Sequence, residues 1–366
     1  MDPNKLIKFF TVCTLMLLFV FIGCESVSEE DQQTAIALVD SANTSVESIF
    51  SSMLALNPDS VQNILEPLDF STGYGLYLEA HNLDSENDAA NYGLAMMSLF
   101  IISQDQQFQN LLEPYYEIQE PFTTGSSPAK TIGYGFGLPL SSARLHNMVK
   151  LFIELPVSMS KTKYADIQSV NDLQAQVKND LLPLTDEALT ALDYISDSSY
   201  VFELSSSIQF GPADAIALEM SLTALRGIFN MVIAYNLDLG ASDSAGIVAV
   251  MNPGGSFATL TSGGAADLET ALASANAALD KALGAINQIE STGPYSGSLI
   301  QVSANDYPAF RDGVALVQTI LEGAAAMQLK TRDLSAAEQL EHSINVAISQ
   351  FYENPVLDFK TLLPGY

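Results

Sequence analysis

The chain is short of tryptophan, cysteine, histidine and basic residues. In 366 residues there is no tryptophan, and there are two cysteines, three histidines and 14 Lys and Arg against 43 Asp and Glu. The shortage of cations excludes nucleic acid as a natural partner, because phosphate binding needs a Lys/Arg excess. The formal net charge of -29 also argues against anionic headgroups as a docking surface. His81, His146 and His342 are far apart, and none belongs to a His-x-x-x-His or Glu-x-x-His pair. With cysteine equally scarce, no zinc site of the usual type is expected, and no metal or cofactor is assigned. His81 and His342 fall in helical pattern beside acids and are expected to face solvent.

Catalytic constellations are missing too. Ser158-Met159-Ser160-Lys161 fits a Ser-x-x-Lys pattern, but the Lys-Thr-Gly element that penicillin-interacting enzymes also need is absent. Gly133-Tyr134-Gly135-Phe136-Gly137 has no strand–helix frame and runs into Pro139, so it is no dinucleotide fingerprint. Asp84-Ser85-Glu86-Asn87-Asp88 opens like a calcium loop. Its sixth position is Ala89 rather than Gly and its twelfth is Ala95 rather than Glu, so it reads as an inter-helix turn with capping acids. No catalytic residue is assigned, and the chain is read as a non-enzyme.

What the chain does have is apolar residues, 48% of the total, with only 16% charged. That balance fits a folded body of one large or two ordinary domains and excludes a disordered acidic tail. Helical spacing runs through most of it. Glu30 to Leu56 places Ile36, Val39, Val46, Ile49, Phe50 and Leu54 close to one period. Helices are also expected over Ser71–Leu83, Asn87–Gln104, Gln107–Ile118, Leu140–Met159 and Ala165–Ile195, the last with Pro183 as a kink or break. Pro212 fits the first turn of a helix running to about Leu237. An Ala-rich helix follows over Ala265–Ile289, and Tyr307–Leu329 with Leu334–Tyr352 reads as a final helix pair. Ser199–Phe210 is the one strand-like stretch and leaves room for a short β-hairpin. The expected class is therefore all-α, built from packed antiparallel helical hairpins. Apolar residues continue to Tyr366, which fits a docked C-terminus or a truncated chain.

The N-terminus is the most informative segment. Lys5 and Lys8 precede a mostly apolar run from Phe9 to Ile22, short for a spanning helix. Gly23-Cys24 closes the run, and the chain turns polar at once with Glu25-Ser26. This resembles a bacterial lipoprotein leader with its lipobox, with Phe21 in place of the usual Leu. The resemblance implies cleavage after Gly23 and lipidation of Cys24, with acyl chains adding roughly 0.8 kcal/mol of membrane affinity per buried CH₂. An ordinary cleaved leader or an uncleaved anchor is the alternative. Cys13 would leave with the leader, so no internal disulfide remains. Glu25, in place of the Asp that favours inner-membrane retention, implies the outer membrane of a bacterial cell envelope.

A second resemblance lies in the helix pair. Tyr74, Tyr77 and Ala80 are followed by the Asp84–Asn87 turn and by Ala89, Ala90, Tyr92, Leu94 and Ala95. This looks like the junction between two tetratricopeptide repeats. Small residues at Ala80 and Ala95 would let helices cross closely there, and the aromatics would fill the gap between hairpins. Ser85 replaces the usual Pro, Gln107 and Pro114 fall where small residues belong, and no clean 34-residue period recurs. An ordinary helical hairpin is the alternative. Leader and junction together are similar to periplasmic repeat lipoproteins associated with solute transport, which implies a tetratricopeptide-like α-solenoid body.

The expected organisation is a leader at 1–23, a helical region at 24–122, an irregular Gly/Pro loop at 123–139 and a helical region at 140–366 that can be continuous with 24–122. Tyr115, Tyr116, Phe122, Tyr134 and Phe136 cluster around the loop. They offer a partner or ligand surface, or else cover the core beneath it. The expected function is a lipid-anchored envelope scaffold for protein–protein interaction, with a basic surface on the partner. The alternative is a small-molecule or solute-binding component of envelope transport.

Overall fold

The structure is a computed structural model. It describes residues 27–55, 69–104, 170–238 (without 196, 198 and 207), 255–293, 295, 304–322, 326–332, 339–345, 348–358 and 360. Those residues are mostly helical, with two separate antiparallel β-hairpins.

Helix α1 (Glu29–Ala55) starts where Ser28 caps it: the Asp31 amide donates to Ser28 Oγ at 3.1 Å, and Ser28 Oγ–H donates to the Asp31 carboxylate at 2.6 Å. Glu29, Glu30 and Asp31 place negative charge in the first turn, which the helix dipole favours. Its buried stripe is Ala35, Val39, Ala42 and Val46, in steps of four, three and four residues. Ile36 lies off that stripe and is 53% exposed, against the expectation that it belongs to the packed face. The small residues Ala35 and Ala42 hold those places because α1 lies close against its neighbour.

That neighbour is α2 (Ser71–Leu83), antiparallel to α1, and α3 (Asp88–Gln104) returns antiparallel to α2. The intervening turn is held from several sides. The Asp84 amide donates to Ala80 O, the Glu86 amide to Asp84 Oδ1, and the Ala90 amide to Asn87 Oδ1, so Asn87 caps α3. Helix α3 is buried on almost every side from Asn91 to Ile102. It is the central helix of the N-terminal half, which is why its apolar residues are not confined to one stripe.

The regular α-helix is interrupted just ahead of Pro183, where a break or kink is expected. A short α4 (Val170–Gln176) passes into a π-helical turn, Val177–Leu181, and then into α5 (Leu182–Asp193). A proline ring inside an α-helix collides with the carbonyl four residues back. The π turn Val177–Leu181 replaces regular α geometry there, and Pro183 falls in the first turn of α5, where its missing N–H costs nothing. On α4 the Gln174 carboxamide donates to the carbonyls of Val232 and Tyr235, both at 2.6 Å. It thereby satisfies orphan acceptors at the end of α6 (Pro212–Ala234).

Strands β1 (Phe202–Ser205) and β2 (Ile208–Phe210) form the hairpin that the sequence left room for. Phe202 pairs with Phe210 and Glu203 with Gln209, and a bulge falls between Glu203 and Ser205. Phe202 and Leu204 point into the core, while Glu203 between them is exposed.

Helices α6 and α7 (Gly264–Thr292) form a long antiparallel pair, with Pro212 in the first turn of α6 as expected. Ala271, Ser274, Ala278, Ala282 and Ala285 let the axes approach closely. At Gly264 a Cβ would land on the Ala234 carbonyl, so only glycine fits. Helix α8 (Tyr307–Leu321) docks Tyr307, Phe310 and Val314 near Ile286 and Ile289 of α7.

The C-terminal part corrects the sequence reading. The expected helix pair over Tyr307–Leu329 and Leu334–Tyr352 is instead α8, then a hairpin of β3 (Ala326–Arg332) and β4 (Gln339–Asn345), then a short α9 (Ile348–Glu353). Met327, Leu329 and Thr331 pair with Ile344, His342 and Leu340 in unbroken register. The alternation of these positions with Gln328, Lys330 and Arg332 has period two, and pairing satisfies it better than a helix would. His342 is therefore a strand residue and not a helical one.

Beyond α9 the chain runs back along 255–261. The Leu260 amide donates to Leu357 O and the Tyr235 hydroxyl to Val356 O, both at 2.9 Å. Lys360, 1% exposed, donates its ammonium to the carbonyls of Gly255 and Phe257 and pairs with Asp358 at 2.9 Å.

Candidate partner-binding surface

The residues singled out on α2 and α3 come together in one core. Tyr77, Ala80, Ala90, Tyr92, Leu94 and Ala95 are all buried, and Tyr74 is half-buried with its hydroxyl donating to Glu187 of α5 at 2.8 Å. Cys24, Tyr115, Tyr116, Phe122, Tyr134 and Phe136 lie outside the described residues, as do the leader 1–23 and the loop 123–139.

The core is organised by aromatic rings. Tyr92 stacks on Phe202 with centroids 4.8 Å apart and planes at 13°, and Tyr77 meets Phe202 edge-on at 6.3 Å. Burial, then the nearby carboxylate of Asp214, pushes the Tyr92 phenol up from its ordinary value. Burial does the same to Tyr77. Both rings are neutral donors at physiological pH, and neither is poised as a base or nucleophile. Tyr77 spends its hydrogen on Asn43 Oδ1 of α1 at 2.6 Å, while Asn43 Nδ2 reaches toward Glu203 O of β1. Helix α1 and the β1–β2 hairpin are thereby tied to the same tyrosine.

Three residues that matter to this geometry escape sequence reasoning. Asn91 is fully buried, donating to Ser85 O at 2.9 Å and accepting from His81 Nδ1 at 2.6 Å. His81 is accordingly half-buried, with its ring tilted 5.8 Å from Tyr194, and does not face solvent as expected. Its helical position beside acids concealed a partner ten residues away. Gly93 touches the Tyr77 ring face so closely that no side chain fits. An isolated glycine in a helical pattern is the one signal that points to it. Asn43 carries no sequence signal.

Above this core, α1 and β1 leave an open cleft of about 310 Å³. Its apolar lining combines the buried Val39 and Phe202 with Ala89, Ile36, Tyr200 and Val201. Asp40, Asn43, Asn87 and Glu203 supply polar groups. The volume is at the low end of the roughly 300–1,000 Å³ range of ligand pockets. Burial first, then the carboxylates of Asp88 and Glu203, raises the phenol of Tyr200 above its ordinary value. Its acidic neighbours therefore make the cleft a place of negative potential.

Among the described residues lining the cleft the charge has a single sign, for a reason visible in the sequence. No Lys or Arg occurs between Lys8 and Lys130, so α1, α2 and α3 contain none, and neither does the β1–β2 hairpin. Glu29, Glu30, Asp40, Glu79, Glu86 and Glu203 are exposed. Ion pairs are found instead on the other helices, between Arg226 and Asp186, Lys281 and Glu219, and Arg311 and Glu290.

Among the described residues no group of three or more His, Cys, Asp or Glu is placed to hold a metal ion. Helix α6 is long and apolar enough to cross a membrane by length and composition, with mean hydropathy 1.4. It packs along α7 and carries Glu219 and Arg226 in ion pairs, which accounts for its composition as that of a core helix. Comparison with protein-family models, curated proteins and solved structures finds no match to this chain.

Proposed function

We propose that this protein is a lipid-anchored scaffold of the bacterial cell envelope that binds another protein through a basic surface on that partner. Cys24 carries the anchor, and the outer membrane is its residence. The protein is not an enzyme. The observation that carries the reading is the stretch from Lys8 to Lys130 without a cation, which begins at the anchor and continues through the helices around the cleft. A surface of one sign next to a membrane anchor repels anionic lipid and attracts a cationic protein patch, speeding encounter and excluding wrong partners. We extend the reading to the architecture. Helices α1, α2 and α3, antiparallel in sequence order with small residues at close crossings, support a tetratricopeptide-like body of stacked hairpins.

The alternative, a solute-binding component of envelope transport, rests on the same resemblance. The small, open cleft favours a protein's side chains over an enclosed small molecule. The test is crosslinking of the full-length lipoprotein in native membranes, read by mass spectrometry. One partner in near-stoichiometric amount is expected, with recovery falling as salt rises from about 0.1 to 1 M and the screening length shrinks from about 10 to 3 Å. Recovery of no partner from lipidated, folded protein refutes the scaffold. A small molecule released on denaturation would then favour the alternative.

A further inference from the structure

We infer that the cleft between α1 and β1 is where the partner docks, and that its occupant is a basic segment carrying one large apolar anchor side chain. The inference rests on the scaffold reading and names its surface. Four observations converge on it.

The first is Ile36. A branched apolar side chain 53% exposed has left the packed stripe of its own helix and lines the cleft, as does Val201. The second is the shape. A cleft of about 310 Å³, open to solvent, takes the end of one or two side chains from an opposing surface. The third is the charge. Asp40 follows Ile36 by one helical turn and so shares its face, and Glu203, which accepts from Gln209 Nε2 at 2.8 Å, lines the same cleft from β1, both exposed. No Lys or Arg on α1, α2, α3 or the hairpin neutralises them. A Lys or Arg flanking the anchor therefore finds carboxylates on both sides, whereas an acidic segment is repelled. The fourth is rigidity. The Tyr77–Asn43 hydrogen bond and the Tyr92–Phe202 stack hold the two walls to one core, so little ordering cost falls on the cleft side at docking.

The test places a photoreactive benzophenone amino acid at position 36 of the full-length lipoprotein in native membranes, and, as a control, at position 316, an exposed leucine on α8. The probe at 36 is expected to capture the partner that general crosslinking recovers. The crosslinked peptide is expected to hold Lys or Arg within a few residues of the attachment point, and the probe at 316 is expected to capture none of it. In the same cells Asp40→Asn with Glu203→Gln should lower the yield at 36 about three- to tenfold, as expected for two partly screened charge pairs. Glu29→Gln with Glu30→Gln, the same charge change away from the cleft, should leave it within about twofold. Both pairs are isosteric substitutions of exposed side chains, so folding is retained. If general crosslinking recovers a partner that position 36 does not capture, or captures through an acidic segment, the cleft inference falls and the scaffold reading stands. Equal losses from the two charge-neutralised pairs have the same meaning. If no partner is recovered by either route, both fall.

Discussion

The closeness of α2 and α3 at Gly93 can be tested by a single methyl group. A Cβ at position 93 would stand 2.5 Å from Tyr77 Cζ and nearer still to Cδ1 and Cε1 of the same ring. The ring has nowhere to go. It is fully buried, its hydroxyl is bonded to Asn43, and its edge meets Phe202. Overpacking of this kind costs about 1–3 kcal/mol, and contact with three ring atoms puts Gly93→Ala at the upper end. Alanine is the better helix former by about 1 kcal/mol, which acts in the opposite direction. The net expectation is a loss of about 2 kcal/mol. Gly75 supplies the internal control, because it lies within α2, is exposed, and a methyl there would meet nothing within 4 Å. Gly75→Ala keeps only the helix-propensity contribution and should gain about 0.5–1 kcal/mol. Urea unfolding followed by far-ultraviolet circular dichroism should move the two midpoints in opposite directions at constant slope. Adding Tyr77→Leu should abolish most of the Gly93→Ala penalty, since the two side chains would no longer collide. A Gly93→Ala midpoint at or above that of the parent protein would refute the steric reasoning.

Two further outcomes follow from the buried polar groups. Tyr77 and Tyr92 have phenols raised by burial, so the stability they confer is complete below the unfolded value of about 10 and is lost as pH rises above it. Tyrosinate absorbance should therefore appear together with loss of helical signal above about pH 10, at a higher pH in Tyr92→Phe, and smooth titration with the helices intact would count against it. Lys360→Met removes the buried ammonium that donates to two half-buried carbonyls, Gly255 O and Phe257 O, and should cost about 1–2 kcal/mol of unfolding stability, a loss whose absence would show that the C-terminal segment is not held by this lysine.

Much of the helical framework is legible because its signals are local. Ser71–Leu83, the turn at Asp84–Asn87 and the start at Pro212 each rest on spacing, a capping side chain or a fixed proline φ, and the structure places the elements there. The hairpin at 202–210 is legible from alternation across few residues. Where local signals conflict, sequence and structure part. Ala326–Arg332 and Gln339–Asn345 contain helix-forming Gln, Leu, Glu and Lys, yet pair as two strands, because partners across the hairpin satisfy their period-two pattern. Pro183 reads as a kink or break from its ring alone, but that the interruption takes the form of a π turn ahead of it is not legible from the ring. The candidate surface is the least legible part. Its residues come from α1, the Asn87–Ala89 turn and the hairpin, which are far apart in the chain and share no motif.

The sequence by itself determined where α2, α3 and α6 begin, the sign of the charge on α1 to α3, and the apolar run from Phe9 to Ile22 ahead of Cys24, since each depends on neighbouring residues or on composition alone. Only the tertiary structure decided that Ile36 stays in solvent while Val39 is buried, that Asn91 holds His81, that Gly93 has no room for a methyl, and that a lysine near the end of the described chain is buried against two carbonyls. These are properties of surfaces that meet across long stretches of chain, and packing, unlike helix propensity, has no reach along the sequence from which to be read.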